Sequence, residues 1–326
     1  MNYQQTLLDY KIVDSLHLKY QEMVRTQMLS SFTLNDDFKS TLINVDLDKK
    51  AFTPDLFCLY LTALINGNYS LNTTGLEWFL DVYQDVKIDV IDPTTSIADD
   101  FFAKNAELHT GGAEFSIPMW GCESIRETAQ QIRTALVLLA SIKSSCSKTK
   151  LLNSIAIFSG NDTTATSGVT GAAQGRIFIR EVTLNYPDFY YLDMMIHEIS
   201  HLYFNLIAQL HPLISDYTKT FFSVAKNRER PIFGIFNATF VLYRLITVYP
   251  EVKNLLKKSE LPLEKNTSYE KYLYSRFFHI PFNYEFRLNL YQMKFDIAYE
   301  QLLSSNALTS AGKELLVAMH EELISK

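Results

Sequence analysis

The chain has 326 residues, of which 47% are hydrophobic and 20% charged, a composition typical of a folded protein with a sizeable core. Its formal net charge of -6 argues against a general nucleic-acid binder, because neutralising phosphates requires a clustered excess of Lys and Arg. The three cysteines, Cys58, Cys122 and Cys146, are too widely spaced to predict a disulfide framework or a thiolate zinc site.

The N-terminus and the apolar segments predict the compartment. Residues 1–10 lack the basic region and the apolar run of a secretory signal. The most apolar windows, residues 134–142 and 232–246, are too short, or too interrupted by Asn237 and Arg244, to cross a bilayer. We therefore expect a cytoplasmic protein with no membrane partner and no nucleic-acid partner.

Taken in chain order, the hydrophobic spacing predicts an α+β protein that is mostly α. Helical periodicity covers residues 3–30, 54–65, 71–86, 123–141, 186–210, 232–249 and 269–304, and a last helix begins near Ser310. Short strands are predicted near residues 88–91, 154–158 and 176–180. We interpret residues 1–120 as an N-terminal helical region packed on a metal-binding catalytic region over residues 121–326, the two forming one compact unit.

The segment from Ser154 to Arg180 predicts a strand, a loop rich in Gly, Ser and Thr, and a second strand. In zincin-like enzymes, a strand beside the metal helix is where an extended peptide can add, main chain to main chain. A simple β-hairpin with a mobile tip explains the pattern equally well. The predicted fold is thus a helical scaffold with a small β-sheet beside a metal helix, and a zincin-like arrangement is one form that it can take.

The predicted helix over residues 186–210 contains an H-E-x-x-H sequence, His197-Glu198-Ile199-Ser200-His201. Residues four apart lie on the same face of an α-helix, so the two imidazoles converge on one point, as the first two ligands of a divalent metal require. The alternative is a buried helix whose histidines only find hydrogen-bond partners. We interpret the motif as a metal site and the chain as a metalloenzyme.

A third protein ligand normally completes such a site, and the sequence can be tested for it. The metzincin pattern would need Gly and His where this chain has Phe204 and Ile207, so that pattern fails. A thermolysin-like peptidase takes a Glu from the next helix, but residues 232–249 contain no acidic residue, and Glu229 and Glu251 only flank them. A zinc peptidase therefore stays open without an evident third ligand.

Three blocks of the sequence carry a family resemblance: residues 175–178 (Gly-Arg-Ile-Phe), residues 197–201, and residues 230–237 (Arg-Pro-Ile-Phe-Gly-Ile-Phe-Asn). In this arrangement the chain resembles the HExxH-type α-ketoglutarate-dependent peptide β-hydroxylases associated with ribosomally made, modified peptides. The resemblance covers about residues 150–250. The block from Arg230 is the part that distinguishes this family from the many peptidases that share H-E-x-x-H.

The resemblance implies a non-haem Fe(II) held by His197 and His201, with α-ketoglutarate and O2 at the open positions. The family pattern puts a His where this chain has Asn237, whose amide oxygen is a weaker, neutral ligand. Three outcomes are open: Asn237 binds the metal, another group such as Glu229 or Asp216 binds it, or the site is degraded. We expect a retained site with Asn237 as the third ligand, although Asn237 also fits an ordinary helix N-cap.

α-Ketoglutarate also needs a cation for its distal carboxylate. Arg230 and Arg244 are the best candidates, because a guanidinium pairs with a carboxylate in a bidentate fork, and Arg228 and Arg176 come next. Solvated surface arginines are the alternative.

The sequence is compatible with three functions. The first is hydroxylation of a side chain, at its β-carbon, in a peptide or peptidyl substrate with or without a leader segment. The second is a Zn(II) metallopeptidase in which Glu198 is the general base that takes a proton from metal-bound water. The third is a metal-free, peptide-binding relative. In an oxygenase Glu198 need not be a base, and it could orient a ligand, bind substrate or coordinate the metal itself.

Overall fold

The structure is a computed structural model of the whole chain. It describes residues 8–9, 12–71, 79–82, 86–110, 115–116, 122–142, 150–160, 167–181, 188–224, 228–258 and 284–325. The chain divides into two compact units. The motif unit comprises Met1–Ile12, Gln130–Lys148 and Val182–Lys326, and the sheet unit comprises Val13–Ala129 and Thr149–Glu181.

Helices and short strands alternate in the first half of the chain. The helices are α1 (Val13–Ser31), α2 (Asp36–Asn44), α3 (Pro54–Ile65), α4 (Ile97–Thr110) and α5 (Glu123–Leu139). The strands are β1 (Thr33–Leu34), β2 (Lys50–Phe52), β3 (Ser70–Leu71), β4 (Leu80–Val82), β5 (Lys87–Val90), β6 (Phe115–Ser116), β7 (Ser154–Gly160), β8 (Ser167–Gly168) and β9 (Arg176–Arg180).

The main sheet of the sheet unit has the strand order β5-β7-β9-β8, and β6 pairs with the end of β7. Strands β5, β7 and β9 run parallel, with Ser154 opposite Arg176 and Phe158 opposite Arg180. All five residues of β9 are buried. Parallel strands that are buried read as continuous apolar runs, which is why both strands stand out in the sequence. The hairpin alternative for residues 154–180 is wrong, because a hairpin would pair β7 and β9 antiparallel.

One face of the sheet packs on α3 and α4. Phe102 of α4 stacks on Phe178 of β9, with ring centroids 3.8 Å apart, and tilts against Phe158 of β7. A buried guanidinium joins the same elements, because Arg176 of β9 bonds Asp99 of α4 through Nε at 2.7 Å and through a second nitrogen at 2.9 Å. Arg176 is therefore a structural residue of the sheet unit, which removes it from the candidates for cosubstrate binding.

The motif unit is built from long helices. They are α6 (Asp188–Leu210), α7 (Ile232–Lys258), α8 (Tyr284–Ser304) and α9 (Ser310–Ile324), and a hairpin of β10 (Thr220–Ser223) and β11 (Arg228–Pro231) joins α6 to α7. Phe204 of α6 contacts Phe233, Phe236 and Phe240 of α7, with ring centroids 5.2 to 5.7 Å apart. This aromatic stripe fixes how α6 and α7 pack around the H-E-x-x-H sequence.

The mostly helical α+β prediction is confirmed, and two of its elements are corrected. The predicted helix over residues 71–86 is wrong at Leu80–Val82, which form β4 and pair with β2. The helix predicted to end at Tyr249 continues to Lys258 with Pro250 inside it. Residues 269–283 of another predicted helix lie outside the described residues. The placement of a sheet beside the metal helix stays a prediction, because the two belong to different units.

The extension of α7 changes the expectation about apolar windows. Residues Ile232–Leu255 are long and apolar enough to cross a membrane, and 67% of their most apolar stretch is buried inside the protein. A buried core helix meets the same criterion, and α7 packs on α6, α8 and α9. The expectation that residues 232–246 are too short, or too interrupted by Asn237 and Arg244, to cross a bilayer is therefore wrong by length and composition.

Candidate metal centre

The two motif histidines of α6 face each other across one helical turn. The Nε2 atoms of His197 and His201 lie 3.1 Å apart, and their ring centroids lie 4.7 Å apart. Two imidazole nitrogens with this separation would both be within bonding distance of one divalent ion placed between them. Both side chains are half-buried, so a ligand from solvent can approach them. The structure therefore brings both imidazoles to one point in a geometry that a divalent metal fits.

Asn237, in the second turn of α7, contacts the other ring nitrogen of His201. Its Oδ1 atom lies 2.6 Å from His201 Nδ1, and its Nδ2 atom donates to Asn205 Oδ1 at 3.2 Å. An amide oxygen can only accept a hydrogen bond, so Nδ1 of His201 carries the hydrogen in this arrangement. Its Nε2 then presents a lone pair toward His197. The structure thus brings Asn237 into contact with the candidate metal centre, but on the far side of the His201 imidazole from the Nε2 pair.

A polar stripe runs along α6 and contains both histidines. Its members, Asp193, His197, His201 and Asn205, are spaced by four residues. Four residues advance an α-helix by about 40° more than one turn, so such side chains follow a shallow spiral on one side. Neither Asp193 nor Asn205 is predicted from the sequence as a residue of the site. The regular spacing of polar residues in an otherwise apolar helix was the signal that could have found both.

Asp193 anchors this stripe to two neighbouring helices. Tyr249 of α7 donates its hydroxyl to Asp193 Oδ1 at 2.9 Å, and Arg287 of α8 forms an ion pair with Asp193 Oδ2 at 2.9 Å. Asp193 is 9% exposed, and a buried carboxylate requires such partners. Because both oxygens are engaged, Asp193 holds α6, α7 and α8 together beside the histidines.

Glu198 and Arg244, two further residues predicted for the site, are both buried. Their exposures are 2% and 4%, and both interact with neighbouring groups. Glu198 lies about 100° around α6 from His197, as consecutive helical residues do. Arg244 lies two turns after Asn237 on α7. Their predicted roles, as general base and as cosubstrate-binding cation, stay predictions.

Arg230, the other predicted cation, ends the hairpin that leads into α7 and packs over Gly234. A Cβ atom at Gly234 would lie 3.2 Å from Arg230 Cζ, so glycine leaves room for the guanidinium. Burial, and then the charge of Arg228, lower the Arg230 pKa from its ordinary value. Among the residues that the structure describes, no carboxylate forms an ion pair with Arg230. A half-buried guanidinium without an acidic partner is suited to binding an anion.

The other candidates for a third ligand lie elsewhere in the motif unit. Glu229 is exposed on β11, opposite Phe222. Asp216 accepts hydrogen bonds from Thr218 N at 3.0 Å and Thr218 Oγ1 at 2.6 Å, and these bonds lower the pKa of the Asp216 carboxyl. Within the described part of the chain, no three His, Cys, Asp or Glu residues converge as a metal site. The described centre consists of two imidazoles, the Asn237 amide that contacts His201, and Asn205, which accepts a hydrogen bond from Asn237.

Comparison with models of protein families and with curated proteins gives no match to this chain. The resemblance to the HExxH-type hydroxylases therefore stays a prediction that rests on the residues quoted for it.

Proposed function

We propose that this protein is a non-haem Fe(II)- and α-ketoglutarate-dependent oxygenase that hydroxylates a peptide or peptidyl substrate. The observation that carries the proposal is a two-histidine centre on α6 together with Arg230, a half-buried guanidinium just before α7 with which no described carboxylate forms an ion pair. Arg230 packs over Gly234, and Gly234 lies one helical turn before Asn237, which contacts His201. A guanidinium on the segment that leads into this helix is a candidate for binding the distal carboxylate of a dicarboxylate whose other end chelates the metal.

In this proposal, His197 and His201 hold the iron through their Nε2 atoms, which lie 3.1 Å apart. Two imidazoles leave more open positions than a closed structural site, as an enzyme that admits cosubstrate and O2 requires. When bound, iron with α-ketoglutarate and O2 supplies the oxidising power to hydroxylate an unactivated carbon, and succinate and CO2 are the co-products. The peptide substrate, with or without a leader segment, is carried over from the sequence resemblance.

Arg230 binds and orients the distal carboxylate of α-ketoglutarate. Its guanidinium can form two parallel hydrogen bonds with a carboxylate, which fixes the ligand in position as well as attracting it. Burial and the neighbouring Arg228 lower the Arg230 pKa, which means that they disfavour the charged guanidinium. A bound carboxylate would stabilise that charge. Arg244 on the same helix is the alternative cation for this role.

Anaerobic reconstitution with Fe(II) and α-ketoglutarate tests the proposal. We expect the visible charge-transfer band of the iron chelate, and a band that titrates with the cosubstrate. Removing a charge-assisted, bidentate contact in Arg230→Gln should weaken α-ketoglutarate binding by about 10- to 100-fold. The Arg230→Lys variant should recover part of the affinity, since it restores the charge without the fork.

Arg228→Gln is the matched control, because it removes the same charge from an exposed position on the same hairpin strand. We expect this variant to bind α-ketoglutarate within about threefold of the wild-type protein, since exposed charges contribute little. A protein that binds zinc alone and gives no chelate band would contradict the oxygenase. If Arg228→Gln and Arg230→Gln lost the same α-ketoglutarate affinity, the cosubstrate would be attracted by the positive charge of the hairpin and not bound specifically by Arg230.

A zinc metallopeptidase is the second candidate, and the position of Glu198 favours it. Glu198 follows His197 directly and is 2% exposed, and a desolvated carboxylate beside a metal can serve as a general base. In that case, Zn(II)-loaded protein should cleave peptides, and Glu198→Gln should abolish cleavage while zinc stays bound. A metal-free, peptide-binding relative, the third candidate, would bind neither Fe(II) nor Zn(II) at saturating concentrations.

A further inference from the structure

Asn237 has a role that neither the family resemblance nor the proposed reaction assigns to it. We propose that Asn237 is a positioning residue that holds the His201 imidazole in its Nδ1–H tautomer, and that it is not a metal ligand. This inference rests on the metal centre of the proposed function. It concerns how this chain builds that centre from two imidazoles.

The first argument is which side of the ring Asn237 contacts. Asn237 Oδ1 lies 2.6 Å from His201 Nδ1, whereas His197 Nε2 lies 3.1 Å from His201 Nε2. The two nitrogens point to opposite sides of an imidazole, so an oxygen bonded to Nδ1 cannot also reach a metal held at Nε2. A metal-bound histidine commonly donates its second ring N–H to an oxygen, which fixes the tautomer and the ring orientation. Asn237 supplies that oxygen.

The second argument is what orients the Asn237 amide. Its Nδ2 group donates to Asn205 Oδ1 at 3.2 Å, so its oxygen faces His201. Asn205 is 5% exposed, and it lies one turn after His201 on the same helix. The His201, Asn237 and Asn205 side chains therefore form a relay from α6 to α7 and back. If Oδ1 and Nδ2 of Asn237 were exchanged, an N–H group would face Nδ1 and the opposite tautomer would be favoured.

The third argument concerns the departure from the family pattern. The resemblance implies a His at position 237, and this chain has Asn. In this chain the residue at that position is therefore an acceptor that supports a ligand instead of being a ligand itself. Asn237 itself is half-buried, between the aromatic contacts of Phe236 and Phe240 with α6. It is held close enough to α6 to act on His201.

The test measures the tautomer and the metal affinity separately. In metal-free protein, 15N NMR of the imidazoles should show His201 as the Nδ1–H tautomer in the wild type and as a mixture in Asn237→Ala. The affinity for Co(II), titrated by its visible bands, should fall about 10- to 100-fold in Asn237→Ala, as for other partners of metal-bound histidines. Asn237→Asp should restore the tautomer and the affinity, because a carboxylate oxygen is a stronger acceptor.

Thr239→Val is the matched control. Thr239 is fully buried on the same helix, and its hydroxyl donates to the backbone of Ile235 at 2.8 Å. This change should leave the His201 tautomer and the Co(II) affinity unchanged, so a loss confined to Asn237→Ala reports on the relay and not on helix packing.

An unchanged His201 tautomer in Asn237→Ala would overturn the inference, as would an Asn237→Ala protein that binds Co(II) with wild-type affinity. Failure of the wild type to bind any metal would contradict the proposed function instead. In that event, a change of tautomer in metal-free Asn237→Ala would still support the relay.

Discussion

Replacing either motif histidine with Ala should abolish metal binding under conditions where the wild-type protein binds one equivalent. The described centre offers only the His197 and His201 imidazoles, with their Nε2 atoms 3.1 Å apart. Removing one leaves a single protein nitrogen, and bound metal requires several donors. Because loss of a supporting residue already costs about 10- to 100-fold, loss of a ligand should lower Co(II) and Fe(II) affinity by on the order of 100-fold or more.

Titration with Co(II), followed by its visible bands and by calorimetry, measures this loss. His211→Ala is the matched control, since His211 directly follows α6 and lies ten residues beyond His201. It should keep the wild-type stoichiometry and affinity. Circular dichroism confirms that each variant is folded. If His197→Ala and His201→Ala still bound one equivalent of metal tightly, the centre would have to lie elsewhere in the chain.

The helices that the sequence predicts best have strong local signals at their ends. Pro54–Ile65 is predicted with its observed bounds, because Thr53 caps its first turn and Pro54 occupies a position where a missing N–H has no cost. The last helix likewise begins after the Thr309 cap. Local hydrogen bonds decide these ends, so a single sequence contains the information.

Elements that depend on distant partners are predicted less well. Leu80–Val82 is a strand because it pairs with Lys50–Phe52, about 30 residues away, and helical spacing of apolar residues does not reveal that partner. Pro250 does not end α7, a helix that packs on α8 and α9 and continues to Lys258. Long-range packing outweighs the local preference in both cases.

The residues of the candidate metal centre show the same difference between local and long-range information. The spacing of His197 and His201 predicts their convergence, because helix geometry alone sets it. The contact of Asn237 with His201 Nδ1 depends on how α6 and α7 cross. The sequence therefore identifies Asn237 as a residue of the site and cannot say which ring nitrogen it meets.

Acid should destabilise the sheet unit through one buried histidine, His17 of α1. His17 is fully buried, and neither ring nitrogen has a hydrogen-bond partner among the residues that the structure describes. Burial, and then the charge of Lys150, lower the His17 pKa from 6.5 to about 4. The unfolded chain thus takes up a proton near pH 6.5, whereas the folded chain does so only near pH 4. The stabilisation that comes from keeping His17 neutral in the folded state is fully present above pH 6.5, and it is lost as the pH falls from about 6.5 to about 4.

The expected loss between pH 7 and pH 4 is about 3 kcal/mol from His17 alone. Urea unfolding followed by circular dichroism at pH 7, 5.5 and 4 measures it. His17→Leu should lose this part of the pH dependence, and it should be at least as stable at pH 7 because two unpartnered nitrogens are removed.

Tyr20→Phe is the control. It removes a neighbouring buried hydroxyl, but burial raises the Tyr20 pKa, so the hydroxyl stays neutral across this window. Tyr20→Phe should therefore keep the wild-type slope. Equal slopes in His17→Leu and the wild type would mean that His17 is protonated in the folded protein, or that it reaches water.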